Sequence, residues 1–93
     1  MRYYTHLGNY CTPRNNLQKA AAAYLHYLDG RLVADAEIFL DHLQAFVEDA
    51  NRQHPKCAPL EINVHGLSGD KGMGIGLGGA WTVGFYLYEV KEK

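Results

Sequence analysis

The chain has little of what would mark a specialised protein. No apolar run approaches the length needed to cross a bilayer, so no membrane partner is expected. The opening Met-Arg-Tyr-Tyr-Thr-His-Leu-Gly has no apolar core of a secretory leader, which points to the cytoplasm. Cysteine occurs twice, as Cys11 and Cys57. That suffices for one disulfide in a secreted protein, but without a leader two reduced thiols are expected. An excess of basic residues is also missing. A net charge of −1 argues against binding nucleic acid through phosphate electrostatics.

What is present describes one small domain. With 93 residues, 47% hydrophobic and 20% charged, the composition is globular rather than disordered. A chain of this size buries a modest core and has a small stability margin. Charge is unevenly placed. Residues 1–34 carry Arg2, Arg14, Lys19 and Arg31 against Asp29, a net +3. Residues 35–50 carry Asp35, Glu37, Asp41, Glu48 and Asp49 with no Lys or Arg, a net −5. Two solvated helix faces account for this, and complementarity within the fold or across a dimer is the second reading.

Residues 2–11 are rich in aromatics, as strands are, with Tyr3, Thr5 and Leu7 on one face and Tyr4, His6 and Gly8 on the other. Thr12-Pro13 reads as a helix start, followed by Leu17, Ala20, Ala21, Tyr24, Leu25 and Leu28 at helical spacing. Gly30 stands where a left-handed helix terminus belongs. Asp29-Gly30 is equally a hairpin signal, which leaves residues 24–34 open between helix end and hairpin, although the alanine run favours helix. A second helix is marked by the stripe Phe39, Leu43, Phe46, Val47 and Ala50, with Asp35 or Asp29 as its cap and Pro55 beyond its end. Residues 61–67 alternate, with Ile62 and Val64 inward and Glu61, Asn63 and His65 outward. A tight turn at 68–71 leads to a returning strand, Gly78-Gly79 permits a bulge, and a last strand runs from Ala80 to about Glu89. Both faces of that strand are partly apolar, which suits a central strand or a covered edge. The fold class expected is α+β: a small antiparallel sheet of three or four strands with two helices on one face, in the order β-α-α-β-β-β.

The most unusual segment is Gly72-Met-Gly-Ile-Gly-Leu-Gly-Gly79. In a strand it places Met73, Ile75 and Leu77 on one face and only backbone on the other. Gly74-x-Gly76-x-x-Gly79 matches a dinucleotide fingerprint in form. That pattern needs a helix next, to hold a pyrophosphate on its N-terminal N–H groups, and strand residues follow instead. In order of weight, the ribbon reads as a structural hairpin, an association surface or a ligand cradle.

Other chemistry is thinner. His54-x-x-Cys57 is half a zinc site without a second close pair, so no metal and no cofactor are expected. Cys57 follows a helix rather than heading one, Cys11 reads as a small half-buried hydrophobe rather than a nucleophile, and no carboxylate pair is placed for acid–base work. Seven tyrosines are many for this length. The expectation is a non-enzymatic protein-binding or self-associating module, most simply a homodimer. Its surface would be built from Gly72, Gly74, Gly76, Gly78, Tyr3, Tyr4, Tyr86 and Tyr88. Small accessory or inhibitor proteins of phage and mobile elements share this character. The alternative is a small ligand- or anion-binding domain or small enzyme with a pocket at 72–79, lined by His65 and Asp70.

Overall fold

The computed structural model describes residues 2–8, 11–66, 72–78 and 83–90. The turn at 68–71, Asp70, Gly79 and the start of the last strand at 80–82 lie outside them. The elements are β1 (Tyr3–Leu7), α1 (Asn16–Leu28), β2 (Leu32–Val33), α2 (Ala36–Gln53), β3 (Glu61–Gly66), β4 (Gly72–Gly78) and β5 (Val83–Glu89). The class is α+β, with one antiparallel sheet in the order β2-β1-β5-β4-β3. Five strands replace the three or four expected, and a strand stands between the helices. β2 is two residues long, too short to leave a periodic signature, and it forms because the chain leaving α1 runs back along β1.

α1 starts three residues later than Thr12-Pro13 suggests. The Asn15 side chain accepts from the Gln18 N–H at 2.9 Å, while Gln18 Oε1 accepts from the Arg14 N–H at 2.6 Å. The first bond satisfies an orphan donor of the helix, and the second ties Gln18 back to the residue ahead of the cap. The helix reading of residues 24–28 holds, and Gly30 ends the helix at φ +75°. α2 is capped by Asp35, which accepts from Glu37 and Ile38 at 2.9 and 3.2 Å. Asp29 serves elsewhere: its carboxylate accepts from the Leu7 N–H at 2.7 Å, tying the end of α1 to β1.

Both helices lie on one face of the sheet. Leu17, Ala21 and Leu25 of α1 and Phe39, Leu43, Val47 and Ala50 of α2 enclose Ile75, Leu77, Val83, Phe85 and Leu87. Fully burying one such side chain contributes roughly 1.5–3 kcal/mol. Phe46, on the predicted stripe, stacks on Tyr24 at 4.0 Å between ring centroids. β5 is central, as its two apolar faces suggest. Thr5 is fully buried with its hydroxyl donating to the Leu28 carbonyl at 2.5 Å and accepting from the Arg31 N–H at 2.7 Å. That hydroxyl locks the α1–β2 connection against β1.

Candidate functional site

The face of the sheet away from the helices takes the alternate residues of every strand, and the register arranges them in rows. One row runs Leu32, Tyr4, Tyr88, Gly72. The next runs His6, Tyr86, Gly74, His65. A third runs Gly8, Gly84, Gly76, Asn63, with the Gly8 N–H donating to the Gly84 carbonyl at 2.8 Å. Gly78 pairs with Glu61 beyond them.

Two zones follow. On the β1–β5 side stands an aromatic cluster in which the Tyr86 and Tyr88 rings stack at 6.0 Å and His6 lies 6.5 Å from Tyr88. Tyr4 and Tyr88 remain exposed. Tyr86 leans toward β1: a Cβ built on Gly8 would meet its ring at 2.1 Å, so glycine at position 8 is what lets the ring lie down. His6 Nδ1 stands 4.0 Å from Asp29 Oδ1 at the outer border of this cluster.

On the β4 side the strand is a floor without side chains. β5 and β3 flank it about 10 Å apart, and the strand itself, Gly72–Gly78, is about 20 Å long. Tyr88 and Tyr86 flank it on β5, the Tyr86 ring turned away over Gly8, and His65, Asn63 and Glu61 flank it on β3. The floor is uneven. Gly74 is buried, while Gly76 and Gly78 are half-buried. A Cβ on Gly78 would meet the Asn63 amide nitrogen at 2.7 Å, so Asn63 closes that end. Among the described residues, a Cβ on Gly76 would meet only the Val83 carbonyl oxygen, at an ordinary 3.8 Å.

Of the residues singled out from sequence, Gly72, Gly74, Gly76, Gly78, Tyr4, Tyr86, Tyr88 and His65 share this outer face. Tyr3 does not. It is one residue out of phase with Tyr4 and packs against the core on the helix side. Asp70 lies outside the described residues. His6 and Gly8, which alternation places on the Tyr4 face, belong to it as well, and Gly84 joins them; only the long-range register of β1 against β5 brings them beside Gly76 and Tyr86.

The remaining candidates stay apart from this face. Among the described residues no group of three or more His, Cys, Asp or Glu side chains is placed to hold a metal ion. His54 and Cys57 line a hollow of about 430 Å³ with Asn15, Gln53 and Lys56, where the start of α1 meets the end of α2. A second hollow of about 290 Å³ lies beside Leu32, Ile38 and His42. Its Asp35 carboxylate is already engaged in capping α2. No helix among the described residues is long and apolar enough to cross a membrane. The chain matches no protein-family model, no curated protein and no solved structure.

Proposed function

We propose that the chain is a non-enzymatic, cytoplasmic protein-binding module that takes a polypeptide partner on the outer face of its sheet. Gly76 carries this reading. Glycine inside a strand costs about 0.5–1 kcal/mol relative to alanine. Gly76 does not have the positive φ that would demand it, since Gly30 alone has one among the described glycines. Crowding by the described residues does not demand it either, because a Cβ there makes only ordinary contact with them. A bare floor is explained by an occupant whose backbone comes closer than the roughly 10 Å that side chains impose between packed sheets.

The flanking residues favour a polypeptide as that occupant. Tyrosine offers large apolar area with a polar tip and is enriched at protein interfaces. The opposite side presents Asn63 and His65, whose side chains offer donors and acceptors to a partner's main chain. A short chain with one such face has the character of an accessory or blocking protein, as made by phage and mobile elements.

Photo-crosslinking tests the reading. A benzoylphenylalanine in place of Tyr88, in cells of the natural host, is expected to give a discrete polypeptide adduct. The same group in place of Gln44, exposed on α2, is expected to give none. Equal labelling from both positions, or no adduct from position 88, would sink the proposal.

A further inference from the structure

The two edges of the sheet are unlike. β2 is two residues long, whereas β3 offers six, paired to β4 in unbroken register from Glu61–Gly78 to Gly66–Met73. Among the described residues no strand lies on the other side of β3. Sheets protect such edges with proline, lysine, bulges or short strands. β3 uses none of these: residues 61–66 read Glu-Ile-Asn-Val-His-Gly, and Val64 is 48% exposed.

The sequence of that edge is complementary to itself. Laid antiparallel against a second copy about a twofold axis at Asn63, Glu61 faces His65, Ile62 faces Val64 and Asn63 faces Asn63. An acid meets an imidazole twice, and the exposed valine meets an isoleucine twice on the helix side. We propose that β3 is a homodimerisation edge, joining two five-stranded sheets into one ten-stranded sheet through this Asn63-centred register. A shift by one residue would put the helices of the two copies on opposite faces, and a shift by two keeps the faces but loses the Glu61–His65 and Ile62–Val64 pairs, so this register alone satisfies both. The twofold arrangement also sets the two glycine floors side by side on one continuous outer face. The pairing stands independently of what that face binds.

An edge of this length buries less than a standard stable interface, so the dimer is expected to be weak and is best trapped covalently. Directly opposed strand residues have Cα atoms about 4.5–5.5 Å apart, within disulfide range. The probe is therefore the Asn63→Cys chain under mild oxidation at about 100 μM, with linkages mapped by peptide mass so that Cys11 and Cys57 stay in place. The expected product is a 63–63 linked dimer. His65→Cys alone should give no 65–65 link, while an equimolar mixture of Glu61→Cys and His65→Cys chains should give the mixed 61–65 link. An Asn63→Cys chain that stays unlinked, or that links only through Cys11 or Cys57, overturns the proposal. Equal linking at positions 63 and 65 overturns it too, because it shows collision without register.

Discussion

Tyr24 lies half-buried between the helices, its ring stacked on Phe46 at 4.0 Å. Its phenol is pushed above the ordinary value, first by burial and then by the neighbouring Tyr27. The folded state therefore holds this proton more tightly than the unfolded chain does. The resulting stability is fully present below about pH 10, the ordinary tyrosine value, and is lost as pH rises through the higher folded value. Tyr24→Phe keeps the stack and removes the titration. Melting temperatures followed from pH 8 to pH 11 should fall less steeply for the variant than for the parent, and parallel curves would show that Tyr24 contributes nothing. Thr5 shows the same logic without a charge: a fully buried hydroxyl is tolerated because Leu28 and Arg31 satisfy it.

At the scale of elements, the join between α2 and β3 depends on one amide. Asn51 Nδ2 donates to the Leu60 carbonyl at 3.0 Å, and Asn51 Oδ1 accepts from the Leu60 N–H at 2.9 Å. The side chain replaces a strand partner for a residue that is only 4% exposed. Asn51→Ala leaves both groups of Leu60 without that partner and should cost about 1–3 kcal/mol, read from the denaturant midpoint. A loss below about 0.5 kcal/mol would mean water replaces the amide without penalty.

The elements also show what a sequence displays and what it hides. The α2 stripe is legible because Phe39, Leu43, Val47 and Ala50 recur on one side of a long helix whose other side is polar. The start of α1 was misplaced because Thr12-Pro13 and Asn15-x-x-Gln18 are competing signals three residues apart. The Asn15 side chain on the Gln18 N–H decides for the second, with Gln18 reaching back to the Arg14 N–H. The outer face was half legible. Alternation within each strand separates the glycines of β4 from Met73, Ile75 and Leu77. The row joining Gly8, Gly84 and Gly76 depends on registers between strands far apart in the chain, which no local pattern encodes.

At the scale of the whole molecule, the two sides of the sheet do different work. The helix side holds a closed apolar core in which Phe85 and Leu87 are fully buried. The outer side sets a glycine floor between tyrosines and polar residues, and the β3 edge gives a way to double that surface. On the function proposed above, stability and binding belong to opposite faces, and they should separate under substitution. Gly76→Val is the most direct test, made in the chain that carries the crosslinker at position 88. Valine suits a strand, and a Cβ at position 76 makes only ordinary contact with the described residues, so the melting temperature should hold or rise by a few degrees. Its branched side chain would stand on the glycine floor, so the polypeptide adduct should disappear. A variant that melts like its parent and still forms the adduct would contradict the account, because the bare floor would then have no occupant to explain it.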